Sequence, residues 1–230
     1  MKTAQLTPTL TQITRMRWVN AYLVREDDGL TLVDTMISGS ARHLLRAAED
    51  LGAPIRRIAL THGHGDHAGS VDALRELLGA DVPLLVPARD ARIMAGDKGL
   101  DPGEGDRKVK GGWPKVATAP DVLLSPGDRV GSLEVVASPG HTPGHVAFLD
   151  TRDRALICGD ALQTLGGTTV AGRMNWRFPL VAMATWDPER SLVSARALRA
   201  LAPSVLAPGH GRGLHEPLAA MDAAIAPARG

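Results

Sequence analysis

The chain has 230 residues, of which 26 are Lys or Arg and 25 are Asp or Glu, giving a formal net charge of +1 at pH 7. This balance offers no strong field to a nucleic acid backbone or an anionic membrane surface, so we expect neither partner. Cys158 is the only cysteine, which excludes an intrachain disulfide. No stretch has the roughly 18 apolar residues of a membrane span, and no apolar run marks a signal peptide. We therefore expect a soluble cytoplasmic protein with one domain over residues 1–230. The oligomeric state stays open, with a homodimer among the options.

The first half of the chain predicts alternating strands and helices. Two strands, 13–24 and 30–34, flank the hairpin signal Asp27-Asp28-Gly29. Further short apolar runs predict strands at 55–60 and 82–86. Apolar residues at helical spacing predict helices at 40–52, 71–78 and 88–95.

The second half combines short strands with two segments that lack a clear period. Strands are predicted at 123–124, 133–137, 146–149, 155–158 and 205–207. Asp187 before Pro188 predicts the start of a helix that ends before Pro203, and a last helix is predicted at 214–226. Segments 96–120 and 163–186 are aperiodic, and loops of such length are commonly functional.

One short loop is unusually rich in groups that bind metal ions. His62, His64, Asp66 and His67 lie within six residues, in the sequence Thr61-His-Gly-His-Gly-Asp-His-Ala-Gly69. Neutral imidazole and carboxylate are the ligands of Zn²⁺ and similar cations, and four such groups can be shared by two neighbouring ions. The alternative is a hydrated turn at the surface between a strand and a helix.

Other potential ligands follow short apolar runs elsewhere in the chain. His141 follows the run that ends at Ala137, Asp160 follows Cys158, and His210 follows Ala207. In folds that alternate strands and helices, residues at strand ends gather at one edge of a sheet. We therefore expect these three side chains to converge on the loop that begins at His62.

The motif His62-x-His-x-Asp-His67, followed by His141, Asp160 and His210, resembles the metallo-β-lactamase-fold hydrolase superfamily. The resemblance includes the surroundings of His141, Pro139-Gly-His-Thr-Pro-Gly-His145. It implies an α/β (α+β) fold, a four-layer αβ/βα sandwich in which two mixed β-sheets pack face to face with outer helices. It also implies a ligand assignment: His62, His64 and His141 for one metal, Asp66, His67 and His210 for a second, and Asp160 as the bridge.

Two cations a few ångströms apart can hold a bridging hydroxide near neutral pH, and this hydroxide can attack a polarised carbonyl. Asp66 is predicted to orient the hydroxide and is our candidate catalytic residue. We expect a binuclear hydrolase with two divalent ions per chain, with Zn²⁺ favoured over Fe or Mn. The expected substrate is a small ester, lactone or thioester.

Two other functions stay open, β-lactam hydrolysis by the same fold and a non-catalytic binding protein stabilised by metal. The 20 residues after His210 argue against a full glyoxalase II, which the resemblance would equip with an added helical domain. Lactonases of the superfamily often place a tyrosine over the substrate, and Tyr22 is the only tyrosine of this chain.

Several residues outside the ligand set are candidates for supporting roles. The aperiodic segments carry Trp113, Trp176, Phe178 and Trp186, which we predict to line the substrate cleft, with ordinary core packing as the alternative. His145 is predicted to orient a ligand loop by a hydrogen bond, although packing alone would also account for it. Asp34 is predicted to support the site rather than to bind metal.

Overall fold

A seven-stranded mixed sheet forms one half of the molecule. The computed structural model describes residues 1–227, so the last three residues of the predicted domain lie outside the described part. The strands of this sheet are β1 (Lys2–Gln5), β2 (Leu10–Arg15), β3 (Val19–Glu26), β4 (Gly29–Val33), β5 (Ile55–Ala59), β6 (Leu84–Pro87) and β7 (Val122–Leu124). They lie side by side in chain order. Pairing is antiparallel from β1 to β4 and parallel from β4 to β7.

A six-stranded sheet forms the other half. Its strands are β8 (Arg129–Val130), β9 (Leu133–Ala137), β10 (Val146–Asp150), β11 (Ala155–Gly159), β14 (Val205–Pro208) and β15 (Leu214–His215), in the order β15-β14-β11-β10-β9-β8. Only the β11–β14 pair is parallel within this described sheet. A separate hairpin consists of β12 (Leu162–Gln163) and β13 (Thr169–Val170).

Seven helices are described. They are α1 (Ala41–Asp50), α2 (Gly65–Ala68), α3 (Val71–Leu78), α4 (Ala88–Met94), α5 (Leu180–Ala184), α6 (Pro188–Ala200) and α7 (Leu218–Ile225). Asp187 caps α6 as predicted, because its carboxylate accepts hydrogen bonds from the backbone N–H groups of Glu189 and Arg190. No helix within residues 1–227 combines the length and the apolar character that a bilayer crossing requires.

Three apolar clusters define the layers. The central cluster joins the inner faces of the two sheets, with Val33 on one side and Phe148 on the other, both fully buried. A second cluster packs the outer face of the seven-stranded sheet against α1 and α3, and a third packs the outer face of the six-stranded sheet against α6 and α7. Burying one large aliphatic or aromatic side chain contributes about 1.5–3 kcal/mol, so these clusters hold the layers together. The predicted αβ/βα sandwich of two mixed sheets with outer helices is confirmed.

Several elements differ from the prediction, which did not include β1, β8, β12 or β13. The strand predicted at 13–24 is two strands, β2 and β3, because Met16 and Arg17 both adopt positive φ (54° and 70°) and reverse the chain. Neither residue type signals such a turn in a sequence. The helix predicted at 214–226 begins at Leu218, because residues 214–215 pair with β14 first. Segment 163–186, predicted to be aperiodic, contains the short helix α5.

Candidate metal centre

The potential ligands lie at the ends of strands, as predicted. Asp34 directly follows β4, and the loop from His62 to His67 follows β5 and includes the single turn α2. In the other sheet, His141 lies between β9 and β10, while Asp160 and His210 follow the parallel neighbours β11 and β14. The two sheets thus contribute to one cluster at a shared edge.

The first group of converging side chains consists of His62, His64 and His141. One ring nitrogen of each lies within 4.8 Å of those of the other two. The closest pair is His64 Nδ1 and His141 Nε2, which are 3.0 Å apart. All three side chains are buried, so the three imidazoles face one another away from bulk solvent. Such a cluster is suited to a divalent cation.

The second group consists of Asp66, His67 and His210. Their ligand atoms also lie within 4.8 Å of one another, and His210 Nε2 is 3.4 Å from Asp66 Oδ2. Asp160 reaches both groups. Its Oδ2 lies 3.3 Å from His141 Nε2 and 3.1 Å from His210 Nε2, while its Oδ1 lies 3.4 Å from His67 Nε2. The cluster thus has the arrangement of two three-residue sites with a carboxylate between them.

Three buried atoms at the centre of this cluster lack a hydrogen bond within the described residues. They are His62 Nε2, His67 Nε2 and Asp160 Oδ1. Leaving a buried polar atom unpaired costs about 1–3 kcal/mol, so each such atom in a folded protein requires an explanation. Divalent cations coordinated by these atoms would satisfy all three, and the residues present therefore fit a metal centre.

Hydrogen bonds on the far side of three of the imidazoles fix which nitrogen carries the proton. A carbonyl or carboxylate oxygen can only accept, so the nitrogen beside it must donate. These bonds are His64 Nε2–H to Lys110 O (3.1 Å), His67 Nδ1–H to Asp34 Oδ2 (2.8 Å) and His210 Nδ1–H to Trp18 O (3.0 Å). The remaining nitrogen of each ring faces the cluster, which is the orientation that coordination requires once that nitrogen is unprotonated.

Threonine hydroxyls act in the same way on the other two imidazoles. Thr61 Oγ1 donates its proton to Asp34 and accepts a hydrogen bond from His62 Nδ1 (3.0 Å). Thr185 Oγ1 donates to Val181 O and accepts from His141 Nδ1 (3.0 Å). All five histidines of the cluster therefore direct their second ring nitrogen toward its centre, and His64 differs from the other four because this nitrogen is Nδ1.

Asp34 and His145 lie where supporting residues would be needed. The Asp34 carboxylate accepts hydrogen bonds from the backbone N–H of Thr61 (2.8 Å) as well as from His67. His145 Nε2 accepts the backbone N–H of Asp160 (3.0 Å), and its Nδ1 lies 2.8 Å from Ser138 Oγ. Burial lowers the pKa of His145 to about 3, so the ring is neutral and can serve as this acceptor. Both residues thus hold ligands in place without facing the centre.

The two groups differ in their protonation. Desolvation by burial lowers the pKa values of His62, His64 and His141, so these rings are in the neutral form that binds cations. Burial also opposes protonation of His210, but the Asp160 carboxylate outweighs this effect and raises the pKa of His210 to about 9. Burial opposes ionisation of Asp66, yet its hydrogen bond with His210 holds the pKa of Asp66 at about 2. The Asp66 and Asp160 carboxylates therefore favour a positive charge at the second group, which either a protonated imidazole or a bound cation provides.

A cavity of about 230 Å³ opens onto the cluster. Five potential ligands contribute to its lining, together with two loop glycines and three apolar residues of α5: His64, Asp66, His141, Asp160, His210, Gly65, Gly112, Leu180, Val181 and Ala184. Neither Lys nor Arg occurs in this lining, all of which lies in the described part of the chain. The cavity therefore combines a metal-binding wall with an apolar wall.

The four aromatic residues predicted to line the cleft, all of them described, are not in the lining of this cavity. Trp113 packs edge-on against His64, with ring centroids 5.0 Å apart. Phe178 packs against both Trp18 and His210, and Trp186 is buried, with its Nε1–H donating to Arg107 O. Trp176 is 86% exposed. Three of the four therefore support the site by packing, because the aperiodic segments fold back on the ligand loops.

The sequence did not reveal the apolar residues that line the cavity or the tyrosine that supports a ligand loop. The run Leu180 to Ala184 is apolar and follows Pro179, which is a helix-start signal, but it is too short to show a period. Tyr22 is buried, and its hydroxyl donates to Pro208 O (2.6 Å) just before the loop that bears His210. The only tyrosine thus has a structural contact there.

Comparison with known proteins agrees with this geometry. The family model of the metallo-beta-lactamase superfamily matches residues 17–210. YobT of Bacillus subtilis (strain 168) is 43% identical over 92% of this chain and 91% of its own length. A hydroxyacylglutathione hydrolase of Rhodospirillum rubrum is 33% identical over 70% of this chain, which corresponds to 50% of that enzyme. The crystal structure of TTHA1623 in a di-iron-bound form superposes with a TM-score of 0.66, at 29% identity and 99% coverage of both chains. The chain belongs to the metallo-β-lactamase superfamily of hydrolases.

Proposed function

We propose that the protein hydrolyses a small, uncharged acyl compound, namely an ester, lactone or thioester, with two divalent metal ions per chain. In this proposal His62, His64 and His141 hold one ion, Asp66, His67 and His210 hold the other, and Asp160 bridges them. Zn²⁺ is our first choice because the donor set is rich in imidazole. Iron is supported by the di-iron form of TTHA1623, and manganese is the remaining candidate.

The observation that carries this proposal is the composition of the cavity. One wall consists of metal-binding side chains, and the α5 residues Leu180, Val181 and Ala184 add apolar surface. A substrate carboxylate that the metal ions do not bind would need a cationic side chain as its partner, and the described lining has neither Lys nor Arg. The lining thus favours an uncharged group beside the metal centre and an apolar group against α5.

A bound divalent cation supplies a Lewis acid that polarises a carbonyl and makes water a nucleophile near neutral pH. Asp66 has the role of orienting that water. Its side chain is 29% exposed, whereas those of Asp160 and His210 are at most 3% exposed. With a pKa of about 2, its carboxylate stays ionised at neutral pH and can accept a hydrogen bond from the attacking water.

Apolar contacts with α5 would set the position of the acyl group. Each apolar contact of this kind is worth about 1–3 kcal/mol in discrimination between substrates. The metal-binding side chains act on any carbonyl that reaches them, so selection between substrates falls to the cavity wall. The loop segments 97–120 and 163–186 contribute Gly112 and α5 to that wall.

The thioester option draws support from the relative in Rhodospirillum rubrum, whose name specifies hydrolysis of hydroxyacylglutathione. Glutathione carries two carboxylates, which the cavity lining does not pair with a cation. We therefore place simple lactones, esters and short thioesters before glutathione thioesters in the proposal.

The test is a panel of substrates assayed with protein whose metal content is known from elemental analysis. The panel contains lactones, alkyl esters, simple and glutathione thioesters, a cephalosporin and a phosphodiester. We expect about two metal equivalents per chain and turnover of uncharged acyl compounds ahead of the cephalosporin. A protein with both equivalents that turns over no member of the panel would favour a metal-stabilised binding role instead. Preferential turnover of the cephalosporin would refute the uncharged substrate class.

A further inference from the structure

The segment Lys110-Gly111-Gly112-Trp113, which we call the strap, lies directly against the loop that bears His62, His64 and His67. We propose that the strap is the positioning element of His64, the element that sets which nitrogen of this ring faces the metal ion. The inference rests on the metal centre of the proposed function and is independent of the substrate.

Three contacts join the strap to this loop. Lys110 O accepts the Nε2–H of His64 at 3.1 Å, and Gly112 O accepts the backbone N–H of Gly65 at 2.8 Å. The Trp113 ring packs edge-on against the His64 ring at an interplanar angle of 72°. In addition, Trp113 Nε1–H donates to Lys110 O at 2.8 Å, so the indole also fixes the carbonyl that His64 uses.

His64 needs such an element more than the other four histidines. Those four present Nε2 to the cluster, whereas His64 presents Nδ1, the nitrogen closer to its own backbone. If Nε2 lost its acceptor, the ring could carry its proton on Nδ1 instead, and the lone pair would then point away from the metal. The carbonyl of Lys110 prevents this, because it can only accept a hydrogen bond.

Glycine at position 111 makes the close approach possible. Gly111 has a φ of +86°, and a Cβ built there would lie 2.0 Å from His64 Nε2. The ligand loop also approaches the strap closely at Gly63, where a Cβ would lie 2.6 Å from the Trp113 ring. Any side chain at 111 must therefore displace the strap or the His64 ring.

The strap is anchored on both sides, although it belongs to a long loop. On the amino-terminal side, Trp186 Nε1–H donates to Arg107 O at 2.6 Å. On the carboxyl-terminal side, the Asp72 carboxylate accepts the backbone N–H groups of Ala117 (3.0 Å) and Thr118 (2.8 Å). These anchors hold the Lys110 carbonyl in place, as a support for a ligand requires.

The test compares Gly111→Ala with Gly103→Ala. Gly103 lies in the same loop with a nearly identical φ of +87°, but a Cβ there meets nothing within 4 Å. The control therefore has the same backbone strain without the contact with His64. Both variants and the wild type are stripped of metal and titrated with Zn²⁺ in competition with a chromogenic chelator. We expect Gly111→Ala to lose about 10- to 100-fold in affinity for one of two equivalents, and Gly103→Ala to match the wild type.

Wild-type affinity for both equivalents in Gly111→Ala would overturn the inference, and so would equal losses in the two variants. If Gly111→Ala does not fold, Trp113→Ala replaces it, because it removes packing without adding a clash. We then expect a loss of affinity for one equivalent and, in ¹⁵N-histidine NMR spectra, faster exchange of the His64 Nε2–H with water. An unchanged exchange rate and affinity would again refute the role. No substrate is used, so the outcome does not depend on the acyl panel.

Discussion

Replacement of Asp34 by Asn should weaken the binding of one metal ion at the centre while leaving the backbone in place. Asp34 accepts hydrogen bonds from Thr61 N–H at 2.8 Å and from His67 Nδ1–H at 2.8 Å. It has a φ of 63°, a left-handed conformation that Asn also tolerates. In Asp34→Asn, the amide oxygen must stay beside the Thr61 N–H, so the amide NH₂ group faces His67.

An NH₂ group cannot accept the proton of His67 Nδ1. The His67 ring would therefore move its proton to Nε2, the atom that faces Asp160 and the second group. Loss of such a supporting hydrogen bond lowers metal affinity by about 10- to 100-fold, or about 1.4–2.8 kcal/mol. Because Asp34 and His67 are buried, water cannot replace the lost acceptor.

The assay is equilibrium dialysis against Zn²⁺, followed by elemental analysis, with thermal unfolding as the test of folding. We expect one tight equivalent and one weakened equivalent in Asp34→Asn. The control is Asp128→Asn, which alters a carboxylate that accepts the backbone N–H of Ser125 in an exposed turn. Two equivalents of wild-type affinity in Asp34→Asn would refute the argument that Asp34 sets the proton position of His67.

Four further predictions concern single residues. Asp66→Ala should lower turnover at least tenfold with the fold intact, because it removes the partly exposed carboxylate of the second group; near-normal rates would contradict its role. Cys158→Ser should lower the free energy of unfolding by about 1–3 kcal/mol and leave turnover unchanged, because the thiol is buried among apolar side chains on the outer face of β11. A loss of activity at unchanged stability would instead place Cys158 in the site. Leu180→Ala should lower kcat/KM for long acyl chains ten- to a hundredfold but not for an acetyl ester. The control Met183→Ala, on the same helix but outside the cavity lining, should have no effect. Equal losses in the two variants would show that the acyl group binds elsewhere. Burial raises the pKa of Asp90 from 3.8 to about 6, so the stability it contributes is fully present below pH 3.8 and is lost as the pH rises through 6. Relative to Asp90→Asn, the unfolding free energy of the chelator-treated wild type should therefore fall by on the order of 3 kcal/mol between pH 3.5 and 7, and a pH-independent difference would contradict this.

The sequence predicts the candidate ligands well because their chemistry is local and dense. His62, His64, Asp66 and His67 are close together in the chain, and His141, Asp160 and His210 each follow a recognisable strand. Convergence follows from the rule that strand ends share an edge of a sheet. The sandwich follows from the resemblance that the ligand motif carries.

The supporting contacts leave no such signal. Lys110 acts through its backbone carbonyl, which every residue type possesses, so neither its identity nor its spacing could reveal it. The turn at Met16 and Arg17 has positive φ at residues that rarely adopt it, because the pairing of β2 with β3 imposes the conformation. Trp186 and Phe178 are aromatic residues of a kind that often lines a cleft, but they are buried and lie outside the cavity lining, which only the tertiary structure shows.

The most direct test of the central claim is the turnover of one uncharged lactone or ester from the panel as Zn²⁺ is added back to chelator-treated protein. The two-site centre predicts that activity is lost with the metal, returns on titration and saturates at two equivalents per chain. Activity that survives complete removal of metal, or a protein that binds two equivalents and remains inert toward every acyl substrate, would contradict the account.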